Sequence, residues 1–270
     1  MEYKNILVDK KDNILTVTLN RPEKLNAMSM EADEEIIELF RDLENQNDVR
    51  AVILTGAGRA FCVGMDITGS MGFIDKSALA GEVSLIEGAR RGIQKVINMA
   101  LVFQKLEKPI IAAINGYALG QGLNMAIACD LRIASDKAIL GEEFINRVLF
   151  PDLGGAYLLQ QLLGPAKAKE LSFTGNRISA QEAEKIGLVN KVVPADKLMD
   201  EAYKMAETLA SKSPLAMAVS KRAFNLALRG ALENTINFEA SLQSILATSD
   251  DATEAISAFI EKRKPVFKGK

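Results

Sequence analysis

The chain has 270 residues, 48% of them hydrophobic, with 33 basic and 35 acidic residues and a net charge of −2. That length supports one large domain or one and a half, and without a basic block there is no nucleic-acid footprint. The sequence has no histidine, which excludes Ser-His-Asp and Cys-His nucleophile systems and His-ligated metal sites.

Proton transfer at neutral pH therefore falls to a carboxylate, Lys, Tyr or Cys, or is replaced by backbone electrostatics. Cys62 and Cys129 make no disulfide framework, which fits a reducing compartment, and a cytoplasmic location is expected. The N-terminal "MEYKNILVDKKDN" is polar and mixed in charge and reads as neither signal nor transit peptide. Two uncharged or nearly uncharged runs, 109–129 and 148–166, carry too many Gly, Pro, Asn and Gln residues to span a bilayer.

In chain order, "ILVDKKDNILTVTLN" predicts two strands around a Lys-Asp-Asn turn. "SMEADEEIIELFRDLENQ" predicts an amphipathic helix from Ser29, with acids in its first turn that suit the positive dipole end. "VRAVILTG", "KPIIAAING" and "LRIAS" read as buried strands, the last after a short helix across "GLNMAIACD". Nearly continuous apolar strands separated by helices imply a sheet covered on both faces.

From about Ser179 onward only helices are expected. Ser179, Glu182 and Gly187 mark the start and stop of the first. Three more follow, with a division between "SPLAMAVSKRAFNLALRG" and the segment starting at Ala231. This gives an α/β core over 1–195 and a helical C-terminal region over 196–270, with no linker or repeat between them.

Two glycine-bearing loops carry candidate chemistry. In "GRAFCVGMDITG" a strand ends and Gly64 frees the chain to present the Met65 N–H; a plain strand-to-helix loop explains the same pattern. In "INGYALGQGLNMAIACD" a strand runs into a turn that opens a helix near Gln121, and free N–H groups there suit an anion or a developing oxyanion. Close helix–strand packing needs small residues too. Neither a P-loop nor a dinucleotide fingerprint fits this spacing.

"NRPEKLNAMS", "FCVGMDI", "INGYALGQGLNMAIACDLRIAS", "PDLGGAYLLQQLLGPAKAKELSFTGNRISAQEAEKIGLVNKVV" and "AFIEKRKPVF", in this order, resemble the crotonase (enoyl-CoA hydratase/isomerase) superfamily over almost the whole chain. The resemblance implies a crotonase-like α/β spiral of ββα repeats with a helical C-terminal trimerisation region. It implies an acyl-CoA thioester substrate, a homotrimer or dimer of trimers, no partner nucleic acid or membrane, and a place in fatty acid metabolism. It also implies no cofactor beyond the coenzyme A of the substrate, and no metal. Two backbone N–H groups polarise the thioester carbonyl in this family, and they map onto Met65 and Gln121.

The family's hydratases hold a water between two glutamates. Their positions map onto Asn124 and Phe144, so both carboxylates are missing, while Glu142 and Glu143 stand just before. Asp152 falls where some branches carry a catalytic aspartate. Phe144 followed eight residues later by Asp152 resembles the ring 1,2-epoxyphenylacetyl-CoA isomerases. From the residues alone Asp152 has two readings: cap of the helix starting at "LGGAYLLQQLL", or a desolvated base beside a polarised thioester.

Substrate contacts are expected from Cys62, Gly64, Asp66, Ile67, Gly120, Asn124 and Phe144, with Lys24 and Lys264 meeting the CoA phosphates. Cys62 and Cys129 also fit as small buried residues. The segment 69–99, with Met71, Phe73 and Ile74, is expected to line the acyl pocket. The resulting function is an acyl-CoA isomerase working through a thioester enolate. The alternatives are a hydratase with rearranged acids, such as Glu143 with Asp152, and an acyl-CoA-binding protein without catalysis.

Overall fold

The computed structural model describes residues 3–66, 81, 82, 84, 87, 88, 98–247 and 249–266. A large sheet takes the order β1-β2-β3-β5-β7-β10 and a small one the order β4-β6-β8-β9. The large sheet is built from β1 (Ile6–Lys11), β2 (Ile14–Leu19), β3 (Ala51–Gly56), β5 (Ile110–Ile114), β7 (Leu131–Ser135) and β10 (Lys191–Val193). The small one comprises β4 (Ala60–Cys62), β6 (Tyr117–Leu119), β8 (Ile139–Gly141) and β9 (Arg177–Ser179).

β1 and β2 form an antiparallel hairpin; every later pairing in the large sheet is parallel. β3, β5 and β7 of the large sheet are each followed within a few residues by a strand of the small one, β4, β6 and β8, and the helix at Gln121–Ala128 carries the chain from β6 back to β7. This is the ββα spiral that the resemblance implies.

Alternation along the strands explains the layers. Val52, Leu54, Ile110, Ala112 and Ile114 face one core, whereas Ala51, Ile53, Ile111 and Ala113 face another. The first core holds α1 (Met30–Asp42), whose Phe40 stacks on Phe103 with ring centroids 4.3 Å apart. The second is closed by α5 (Leu198–Ala210), through Leu198, Ala202 and Ala206. With both faces covered, strands lack the polar alternation of a half-exposed sheet.

α2 (Gln121–Ala128) follows β6, α3 (Gly155–Thr174) follows a five-residue 3-10 turn at Glu143–Arg147, and α4 (Ala180–Lys185) is closed by a capping box between Ser179 and Glu182. α6 (Pro214–Ala247) and α7 (Asp250–Ile260) end the described chain. Lys221 docks α6 on the spiral: its Nζ donates to Lys108 O at 2.9 Å and to Asp130 Oδ2 at 2.6 Å. Among the described residues no helix is long and apolar enough to cross a membrane.

Two expectations about the elements need correction. The chain after Ser179 is not helical throughout, because Lys191–Val193 pairs with β7 as an edge strand; three residues are too few to show alternation. The division expected at Gly230 is absent, and α6 runs through it to Ala247. One glycine costs a helix roughly 1 kcal/mol, which does not end a 34-residue helix packed on a core. The break comes instead at Ser249, whose hydroxyl accepts from the Ala252 N–H.

Candidate active site

The two glycine turns adjoin each other. Gly64 has φ +97°, and a Cβ there would lie 3.2 Å from Leu119 O and 3.6 Å from Gln121 N. Only a glycine permits both that dihedral and that approach. Gly122 backs onto the Cys62 carbonyl so closely that a Cβ would clash with it. The small strands β4 and β6 therefore hold the 62–66 turn against the start of α2.

An isolated bridge joins Met65 to Met28 through Met28 N–H to Gly64 O and Asp66 N–H to Met28 O, each 2.8 Å. In such a bridge the intervening residue turns its own N–H to the opposite side, so the Met65 N–H faces away from Met28. Gln121 is the first residue of α2, after Gly120 at φ +52°. Its N–H has no carbonyl one turn earlier to bond. The pair named from the sequence, Met65 and Gln121, thus lies on adjoining turns.

Cys62 supports this turn, and its Sγ accepts from the Gly64 N–H at 3.4 Å. It is fully buried and desolvation pushes its thiol up to about 12, so it stays protonated. Asp66 is also buried and fixes the far end of the turn, accepting from Arg21 Nη2 at 2.8 Å and Lys24 Nζ at 3.3 Å. Lys24, expected at the CoA phosphates, is thus engaged with Asp66 while still half exposed. Ile67 and most of the 69–97 part of the expected acyl pocket, Met71, Phe73 and Ile74 included, lie outside the described residues. Lys264 is exposed just beyond α7.

Asp152 is 4% exposed. Asn124, on the inner side of α2, donates through Nδ2 to its backbone carbonyl at 3.0 Å and to Oδ1 at 3.3 Å. Oδ2 has no hydrogen-bond partner, and neither do Asn124 Oδ1 and Gln121 Oε1. Buried polar atoms are nearly always paired, so the orphaned Asp152 Oδ2 beside the orphaned Asn124 Oδ1 marks a place built for something that donates. Desolvation pushes the Asp152 carboxyl up to about 7, against the Asn124 bond and a backbone bond that both favour the charge.

The capping reading of Asp152 fails. The N-cap of α3 is Gly154, at φ 72°, and no side chain caps that helix. Leu153 and Gly154 are consecutive left-handed residues, and they swing the chain into α3 with Asp152 turned inward. Gly155 lies so close to the Asn124 side chain that a Cβ would clash with it. The glycine pair after Asp152 therefore serves the approach of α2 to α3.

The ring of Phe144 lies within 3.6–3.9 Å of where a Gly120 side chain would be. It fills the edge of the Gly120 turn with hydrocarbon. Glu143 points elsewhere: it is ion-paired to Arg177, and to Arg147 at 3.3 Å. The one-residue offset separates the two side chains.

One residue escaped the sequence reading. Asp33, counted among the acids that suit the start of α1, is only 3% exposed. Its Oδ1 accepts from Gln121 Nε2 at 2.9 Å. Desolvation first, and then repulsion from Asp152, hold its carboxyl well above the usual range, with the Gln121 bond opposing. The available signal was periodicity: Asp33 shares a face with Ile36, Ile37 and Phe40, all buried.

The chain matches the family described as enoyl-CoA hydratase/isomerase over residues 9–270. It is 39% identical over 267 residues to a short-chain-enoyl-CoA hydratase of Clostridium acetobutylicum, covering 98% of this chain and 97% of that one. It is 34% identical over 271 residues to a 1,2-epoxyphenylacetyl-CoA isomerase of Escherichia coli, covering both in full. Among solved structures, an enoyl-CoA hydratase/isomerase from Pseudoalteromonas atlantica superposes with a TM-score of 0.87 at 30% identity, over 98% of this chain and 100% of that one.

Proposed function

This chain belongs to the enoyl-CoA hydratase/isomerase family, and from that premise we propose that it isomerises an unsaturated acyl-CoA, with Asp152 carrying the proton. The thioester oxygen accepts from the Met65 and Gln121 N–H groups. The ionised Asp152 takes a proton from a carbon activated by that thioester, and negative charge moves onto the oxygen as an enolate. The same carboxyl then returns the proton to a different carbon along the conjugated system. No atom is gained or lost, and no cofactor beyond the CoA of the substrate is needed.

One observation carries this reading: Asp152 is buried with its Oδ2 unpartnered, while Asn124 and Phe144 stand at the positions of both acids of the water-adding arrangement. Backbone donors of this kind are typically worth ~3 kcal/mol each toward a developing oxyanion. Burial makes Asp152 a stronger base than an exposed aspartate, yet leaves it ionised in part at neutral pH. The test is Asp152→Asn assayed with 3-enoyl-, dienoyl- and oxepin-type CoA thioesters. Turnover within a few-fold of the wild type ends the proposal.

Hydration is the second reading, favoured by the hydratase name of the Clostridium relative. It needs a second acid to share the water with Asp152, and Glu143 is committed to two arginines. Products formed in 18O-labelled water separate the two, because only hydration puts solvent oxygen into the product. An acyl-CoA-binding protein without catalysis would be stabilised by CoA thioesters and release no product from any of them.

A further inference from the structure

We propose that Asp33 is a positioning residue of this same site: the second carboxyl, which anchors the Gln121 turn and confines the negative charge to Asp152. The inference rests on the assignment of Asp152 as proton carrier. It starts from geometry. Asp33 reaches inward from α1, in a chain segment far from both glycine turns, and grips the side chain of the residue whose main-chain N–H is the second oxyanion donor. Gln121 is 1% exposed and its Oε1 has no partner. Its amide is therefore oriented by Asp33 through Nε2, and its acceptor end is left unpartnered.

The charges around Asp33 give the second role. Asp152 faces it from the loop before α3, Glu34 from its own helix, and the Cys62 thiol from β4, where Arg21 also acts on Cys62. Two buried carboxyls within electrostatic reach do not both ionise at the same pH, because the second charge must be placed beside the first. Burial and the Asp152 charge both hold the Asp33 carboxyl well above its usual range, which favours a protonated Asp33 beside an ionised Asp152. The site thus holds one negative charge, on the residue with the free oxygen. Ionising Asp33 would add a second charge beside the place where the enolate oxygen forms.

This predicts a bell-shaped kcat/KM profile. Activity rises as Asp152 ionises and falls by about tenfold per pH unit once Asp33 does. Asp33→Asn keeps an acceptor for Gln121 Nε2 and removes the ionisation. Its profile is expected to lose the alkaline fall and keep the rise. A further readout needs no turnover: carboxyl NMR of protein labelled with 13C-aspartate, with the Asp33 signal assigned by its loss in Asp33→Asn. In the wild type Asp33 is expected to titrate above Asp152, and in Asp152→Asn to titrate at lower pH, since the repulsion is gone.

An alkaline fall unchanged in Asp33→Asn overturns the inference. So does an Asp33 signal that titrates like an exposed aspartate, or one indifferent to Asp152→Asn. Full turnover by Asp152→Asn instead sinks the proton-carrier assignment, whatever the NMR titration reads. Should Asp33→Asn fail to fold, Gln121→Leu in its place tests the anchor. Without the amide that favours its charge, Asp33 is expected to titrate at still higher pH.

Discussion

Asn124 holds Asp152 at two points, its backbone carbonyl at 3.0 Å and its Oδ1 at 3.3 Å, through one amide nitrogen. The residue at one of the two positions that the resemblance gives to the glutamates of the water-adding arrangement therefore orients the acid proposed to carry the proton. Because this bond favours the ionised form, Asn124 keeps Asp152 from rising further. Asn124→Leu should shift the acid limb of the kcat/KM profile to higher pH, and lower kcat through loss of orientation. An acid limb that stays in place would show that the bond does not act on the carboxyl.

The same carboxyl has a cost in stability. Its folded value, about 7, lies above its ordinary 3.8. A group of this sign contributes fully below the ordinary value and loses that contribution as pH rises toward 7. The loss amounts to roughly 1.4 kcal/mol per pH unit across that window as an upper bound. Asp152→Asn should therefore melt higher than the wild type at pH 8, with the difference shrinking toward pH 4. Equal melting temperatures at both ends would mean that Asp152 is not desolvated.

Much of this was legible in the sequence. The strands of the large sheet other than β10, and the start of α1 at Ser29, follow from the sequence pattern and a side-chain cap. The two glycine turns follow from Gly64 and Gly120. What the sequence hid was direction. Asp33 reads as a dipole-complementing acid because its neighbours Glu31 and Glu34 are acids too, and only packing shows which of them turns inward. β6 and β8 are three residues each, below the length at which alternation speaks. Glu143 and Phe144 are adjacent, and which of them faces the site depends on a 3-10 turn that no pattern announced.

Gly64 tests the oxyanion role proposed for its turn. Its φ of +97° and the approach to Leu119 O oppose any side chain. Gly64→Ala should cost about 1 kcal/mol or more in stability and displace the Met65 N–H. Loss of one such donor is worth about 10²–10³ in kcat. A variant that is less stable yet turns over at the wild-type rate would remove Met65 from the mechanism.

Glu143 separates isomerisation from a rearranged hydration. It is nearly buried, and Arg177 and Arg147 take up its carboxylate from outside the Asp152 site. If isomerisation by Asp152 is the reaction, Glu143→Gln should leave kcat within ~3-fold. Its effect should appear as lost stability, because the two arginines lose their counter-charge; partly exposed pairs of this kind contribute about 1 kcal/mol or less. A hydratase using Glu143 with Asp152 predicts the opposite: a kcat fall of ~10²-fold or more with little change in melting. The two outcomes move different quantities, so one variant measured for both rate and melting decides between them.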